Sequence, residues 1–492
     1  MVFGGIYYWV TWGYRAAFAL VAMLPISIFL FSKHHKNPTR AACLVLLGAM
    51  MWLPEQARFD FPVLPALDKY TISALCALLG AFTHARKRVL EAKLGRHPID
   101  IAMAVMLAVI GIGTFYTNQD PLTYGAWIIV HMPGLKPYDA ASIGLTQFMI
   151  VGLPFLLGRI FLRTAADVLT YFKALATAGI VYSIPILWEI RMSPQLHNRI
   201  YGFYARLDWA QNIRAGGYRP TVFMGHGLVV GFFVMLTLIA MLSLRKSGRR
   251  GIWGMSTGMW SLYLFGILVL CKAGAAIILG VFAAVTMLWL SVKNQMRITM
   301  FLSFIVFIYP ALRIGDYFPT DTLVRLAAKY TSEDRAGSLQ FRFDNEDVLL
   351  LKGAERPWFG WGGFGRERMY DPITGKDLTV QDGQWVIVYG QLGICGFLLF
   401  YGVMLTPGIL LAFRMNRIPK HSDRALLAGF AFITSLCAVN SLPNMYLPVL
   451  PFFLSGGLVA LAIELPKHSA AAERKERAAR ESSEREAPVA AQ

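Results

Sequence analysis

Apolar blocks of membrane-spanning length, set apart by short polar or charged stretches, recur along the whole of this 492-residue chain. A bilayer core about 30 Å thick takes roughly 20 helical residues to cross, and only helices or closed barrels satisfy their own backbone there. Blocks near 14–32, 41–54, 70–84, 100–117, 142–160, 170–189, 221–244, 252–271, 274–292, 298–312, 384–410, 425–440 and 447–464 fit the helical solution. The reading is an all-α polytopic membrane protein of about 12–13 transmembrane helices with one large, partly helical external loop. Composition agrees: 56% of residues are hydrophobic, 15% are charged and mean hydropathy is +0.50, values that set soluble enzyme classes aside. No basic stretch precedes the first apolar run, which therefore reads as a retained span rather than a cleaved leader.

The formal net charge of +18 suggests nucleic acid only until the basic residues are located. Lys33, Lys36 and Arg40, then Arg86, Lys87, Arg88, Lys93 and Arg96, then Arg245 to Arg250, Lys293 and Arg297, and Arg414 to Arg424 lie in alternate connections between blocks. The positive-inside bias places those connections in the cytoplasm and leaves no nucleic-acid partner to expect. The resulting organisation is a first set of spans over 1–312, a large external loop over 313–383, a second set over 384–465 and a tail over 466–492. The tail alternates charges with almost no large apolar side chains, so it is expected to stay disordered on the cytoplasmic side. Five scattered cysteines without metal-ligand spacing give neither a disulfide nor a zinc framework.

Two connections break the charge rule. The one from about Ile190 to Arg219 carries Arg191, Arg199, Arg206, Arg214 and Arg219 against Asp208, and external guanidinium groups at that density need something anionic to bind. The one from Arg313 to Gln384 is too long for a simple link. It is expected to hold a short helix starting at Thr320 or Asp321 and a second over Ser338 to Lys352, with Leu339, Phe343 and Leu350 on one face.

Four stretches, taken in order, carry a resemblance. They are Arg214-Ala215-Gly216-Gly217-Tyr218-Arg219-Pro220 before a span; Cys271-Lys272-Ala273-Gly274-Ala275 at a tight hairpin; Arg342 followed by Arg356-Pro357-Trp358-Phe359-Gly360-Trp361-Gly362; and Gly390-Gln391-Leu392-Gly393-Ile394-Cys395-Gly396-Phe397 in the span after the long loop. Over about 210–410 the chain resembles the O-antigen ligase and O-antigen polymerase superfamily of membrane glycosyltransferases, in which the long loop is periplasmic. It departs from many members where Asp382-Gly383 stands in place of His-Asn. That departure favours polymerase over ligase, and shape-determining peptidoglycan polymerases of similar architecture place an important Asp in their large loop.

The resemblance implies a bacterial inner-membrane enzyme that takes a glycan from a polyprenyl-diphosphate-linked donor and gives it to a glycan acceptor, with membrane lipids around it and a chain-length regulator as a further partner. The leaving group is a diphosphate whose charge must be neutralised. Arg does this bidentately and never loses its proton, so Arg219 and Arg342 are the expected leaving-group ligands, backed by Arg214 and Lys272, with neither metal nor cofactor. Asp382 is the expected base or acceptor-orienting group, worth roughly a hundred- to ten-thousandfold in rate. His226, placed two turns inside a span, is its alternative, and an interhelical hydrogen bond is the plainer account of it. Glu189 reads as an acid or as a counter-charge to an Arg. Trp358 and Trp361, among glycines, offer faces for sugar stacking or simply sit at the membrane interface. Asp344-Asn345-Glu346-Asp347 points in different directions on a helix and reads as a solvated face rather than a metal site. The rival class is a flippase or exporter with a cationic external vestibule, and a ligase acting on a lipid A–core acceptor is the nearer alternative.

Overall fold

The computed structural model describes residues 4–61, 65–127, 129–205, 209–214, 216–330, 333–380, 382–444 and 449–464. In chain order the helices are α1 (Gly4–Lys33), α2 (Pro38–Trp52), α3 (Lys69–His84), α4 (Arg86–Glu91), α5 (Pro98–Thr117), α6 (Pro137–Gln147), α7 (Leu153–Phe161), α8 (Ala165–Met192) and α9 (Leu196–Tyr201). They continue as α10 (Gly227–Lys246), α11 (Thr257–Leu270), α12 (Gly274–Trp289), α13 (Val292–Ile314), α14 (Thr320–Tyr330), α15 (Glu333–Ala354), α16 (Gln384–Arg414), α17 (His421–Asn440) and α18 (Val449–Glu464). A π turn over Phe148–Gly152 joins α6 to α7. Strands among the described residues are confined to four two-stranded hairpins in the connections.

Eight of the helical segments are long and apolar enough to cross a membrane, and α2, α11, α12 and α18 are shorter apolar helices. Large apolar side chains such as Phe18, Ile184, Leu262, Ile278 and Trp289 face outward from them. An outward apolar surface of that extent on a soluble protein would drive aggregation; in a bilayer it is the solvated face. The chain is a multi-pass membrane protein.

Helix starts follow capping chemistry. Asp68 accepts the N–H groups of Tyr70 and Thr71 at the head of α3. Thr164 and Asp167 form a reciprocal capping box at the head of α8, and Ser291 caps α13; each supplies an acceptor to orphan N–H groups. The central element is α10, packed on α8, α11, α12 and α17, with nearly every side chain from Phe233 to Leu244 buried. Buried Arg159 donates twice to Asp100, at 2.8 and 2.9 Å, and so locks α7 against α5.

The long loop docks on α16 through the two glycine-rich stretches that carry the resemblance. Gly393 breaks α16 with φ 67°, and there the 357–362 segment lies along it. Trp361 and Gly362 donate to the carbonyls of Gly390 and Gln391 at 2.9 and 2.8 Å, and Ile394 donates to the Pro357 carbonyl at 2.7 Å. A Cβ at position 393 would strike the Trp358 backbone, so both the conformation and the close approach require glycine there. The tail over 466–492 lies outside the described residues.

Candidate functional site

The first arginine-rich connection folds into a braced turn. Ile213 and Arg214 pair with Tyr218 and Gly217 in a small hairpin, and the Arg219 N–H donates to the Asn212 carbonyl at 2.8 Å. Beyond it the chain is held from beneath by Glu189, fully buried at the end of α8. One Glu189 carboxylate oxygen accepts the N–H groups of Thr221 and Val222, both at 2.8 Å, and the other accepts that of Leu196 at 3.1 Å. Lys69, 1% exposed, donates to the Phe223 carbonyl at 2.7 Å and pairs with Glu55, whose stem lies against Gly225.

Two expectations are corrected here. The span that the hydropathy pattern starts at 221 begins at Gly227, because His226 caps α10: its Nδ1 accepts the Leu228 N–H at 2.9 Å. Its Nε2 therefore carries the proton and donates to Gln211 Oε1 at 3.0 Å. His226 thus stands at the mouth of the span, not two turns inside it. Glu189 is engaged by the backbone N–H groups of Leu196, Thr221 and Val222 and meets no arginine among the described residues, so it is not the counter-charge of an arginine.

Arg219 is 5% exposed, and its guanidinium makes no hydrogen bond or ion pair with any described residue; its Nε is enclosed and unpartnered. The stem crosses Gly227 so closely that a Cβ there would meet Cγ and Cδ at 2.6 Å and Nε at 2.7 Å. Burial, and then the charge of Arg214, lower the Arg219 pKa to about 10, which leaves it protonated at neutral pH. Lys272, at the tip between α11 and α12, donates to the Arg214 carbonyl at 2.9 Å. The structure therefore gathers Arg219, Arg214 and Lys272, while the exposed Arg199 is occupied locally by Gln195 and the Trp188 ring. Arg206, Asp208 and Ala215 lie outside the described residues. The enclosed Nε–H lacks an acceptor among the described residues, and an anionic ligand would supply one.

Past the His226 cap a narrow apolar cleft of about 50 Å³ opens between α10, α12, α17 and α18. Leu228, Phe232 and Leu236 line it from α10, Ala276 from α12, and Asn440 and Asn444 from the end of α17. From Leu228 to Leu236 it follows about 12 Å of helix. The same end of α17 receives the start of α16, since the Gln384 N–H donates to the carbonyls of Ser441 and Asn444 at 2.9 and 3.2 Å. Half-buried Asp382 sits two residues before that contact. Sequence reasoning missed Gly227, Asn440, Asn444 and the Glu55–Lys69 pair; two amides spaced i, i+4 at the close of an apolar block were the available signal.

On α15, Glu346 and Asn345 are buried, which corrects the reading of residues 344–347 as a solvated face. Glu346 accepts from Tyr309 at 2.6 Å, Arg313 at 3.2 Å and Trp385 at 3.1 Å, and Asp347 pairs with Arg313 at 2.7 Å. These bonds tie the loop helix to α13 and α16. Arg342, one turn earlier, is half-buried with no partner among the described residues. The structure does not bring Arg342 together with Arg219: no contact joins the two among the described residues.

Trp358 is 64% exposed, whereas Trp361 is buried. The Trp361 indole N–H donates to the Lys352 carbonyl at 2.7 Å, and the Lys352 ammonium and Arg356 guanidinium lie 3.7 and 4.1 Å from its ring centre. Of the two, Trp358 is the one with an open ring. Neither a scan against protein-family models nor a search of curated proteins finds a match to this chain.

Proposed function

We propose that this protein is a glycosyltransferase of a bacterial inner membrane that joins oligosaccharide units carried on polyprenyl diphosphate at the external face. The observation that carries the reading is the buried Arg219 guanidinium, without a partner among the described residues, whose stem packs on Gly227 next to Leu228 at the start of an apolar cleft, with Arg214 and Lys272 nearby. A cation cluster above a narrow apolar slot is complementary to a ligand with a diphosphate head and a hydrocarbon tail. The four glycine- and arginine-containing stretches that resemble the O-antigen polymerase and ligase superfamily support the same reading. Polymerase is preferred because Asp382-Gly383 stands where many members of that superfamily have His-Asn.

In the proposed reaction the acceptor hydroxyl oxygen attacks the anomeric carbon from the face opposite the diphosphate. The new C–O bond forms as the bond to the diphosphate oxygen breaks, and the configuration inverts. Polyprenyl diphosphate leaves with the bonding electron pair, its charge stabilised by Arg219 and, as the resemblance implies, by Arg342 brought in from the loop helix by the bound substrate; the hydroxyl proton passes to the Asp382 carboxylate and then to solvent. Stabilisation of the leaving group by fixed guanidinium groups is the larger contribution, and no metal ion is needed for it.

The test is reconstitution of the purified chain in vesicles with lipid-linked oligosaccharide, extracted from cells that make it, present in one leaflet only. Longer glycans formed without translocation support the proposal. Movement of the donor across the bilayer without new glycosidic bonds would replace it with the transporter reading.

A further inference from the structure

The opposite end of the bundle carries a second cationic site that the proposed chemistry does not use. There α3 turns into α4 at Ala85, and Arg88 is fixed in place: it donates to the carbonyls of Ile160 and Phe161 at 3.0 and 2.8 Å and pairs with Asp167 at 2.7 Å. Arg163 reaches Glu91 at 3.3 Å and Glu464 at 3.6 Å. Between them lies a recess of about 280 Å³ whose wall includes Arg86, Lys87, Arg88 and Arg163, with Glu91 as its carboxylate. Four cations thus face one anion, and including Asp167 and Glu464 behind the wall still leaves one positive charge uncompensated. Arg86 and Lys87 are exposed and neither pairs with a described residue.

The rim identifies the source of the anion. Phe82 and Leu90, four residues before and after Arg86 on α3 and α4, stand outside the recess wall and are 48% and 68% exposed, apolar side chains next to its cations. A soluble phosphate would use the cations and leave the apolar rim idle; a phospholipid uses both, its phosphate among the guanidinium groups and its acyl chains against the rim. We propose that this recess binds the phosphate of an anionic phospholipid headgroup. Arg88 and Arg163, engaged by carbonyls and carboxylates, fix the wall, and Arg86 and Lys87 supply the charge left unspent.

The proposal stands apart from the glycosyltransferase reading, and its test needs no activity. Purified protein in neutral detergent is titrated with dioleoyl phosphatidylglycerol or dioleoyl phosphatidylcholine, and retained lipid is counted by native mass spectrometry. The expected result is selective retention of phosphatidylglycerol. With each interfacial cation worth roughly fivefold in affinity, Arg86→Gln with Lys87→Gln should weaken retention about twenty-five-fold, and Glu91→Gln should strengthen it. The control Arg249→Gln with Arg250→Gln, in the α10–α11 connection, should retain lipid as the unaltered protein does. Undiminished retention in the Arg86/Lys87 variant, or equal loss in the control, would overturn the site. Displacement of the lipid by a few millimolar sodium phosphate would reassign it to a soluble anion.

Discussion

Gly227→Ala separates the position of Arg219 from the stability of the fold. The new methyl would stand 2.6 Å from Arg219 Cγ and Cδ and 2.7 Å from Nε, where carbon contacts settle at about 3.5–4.0 Å. The guanidinium must therefore move by about 1 Å. The helix itself tolerates the change, because alanine is the better helix former by up to about 1 kcal/mol and position 227 has ordinary helical backbone. An opening shift of about 1 Å in a positioned charge costs on the order of a hundredfold in rate. The variant is thus expected to unfold within about 1 kcal/mol of the unaltered protein in a thermal scan followed by tryptophan fluorescence, yet to extend lipid-linked glycan on the order of a hundredfold more slowly. Unchanged turnover at unchanged stability would refute the argument, since Arg219 would then have been displaced without consequence.

Arg219→Ala and Arg342→Ala should each remove most glycan extension in the reconstituted assay while leaving expression intact, and Lys should rescue either site poorly because it lacks the planar fork. Asp382→Asn keeps a hydrogen-bonding group but cannot take a proton; turnover should fall by roughly a hundredfold or more, and a near-normal rate would leave Asp382 only an orienting role. Glu346→Gln leaves the buried Arg313 charge with the more exposed Asp347 as its carboxylate among the described residues. Removing one partner of such a pair costs about 3–5 kcal/mol, so the variant's thermal transition should drop well below that of the unaltered protein; an unchanged transition would show that Asp347 alone suffices for Arg313.

The helices were legible in the sequence because hydropathy is local: each apolar block holds a helix, or over 142–160 two joined by a π turn, although only eight helical segments are long and apolar enough to cross a membrane. The start of α10 was not. Thr221 to Gly225 reads as part of an apolar block, but those residues are held in an irregular turn by Glu189, more than thirty positions earlier, and by Lys69 from another helix. No periodicity records such long-range bonds. Arg219 could be singled out from its setting in an arginine-rich external connection, yet its lack of a partner, the property that points to a ligand, depends on how the surrounding chain closes over it. Trp361 shows the converse. Its glycine-rich context suggested a platform, and the Lys352 and Arg356 side chains that cover it come from the last turn of α15 and the turn just after it, a packing arrangement that spacing does not reveal. Asn440 and Asn444 gained meaning only when α17 was seen to flank the same cleft as α10.

The central claim is that Arg219 and the cleft below it hold a polyprenyl diphosphate. Its most direct measurement is the affinity of the purified protein for undecaprenyl diphosphate without any sugar attached, by native mass spectrometry, compared with undecaprenyl monophosphate and with the Arg219→Ala variant. Tight binding of the diphosphate, weaker binding of the monophosphate and loss of both in the variant is the expected result. Equal retention of the diphosphate by the variant would contradict the claim.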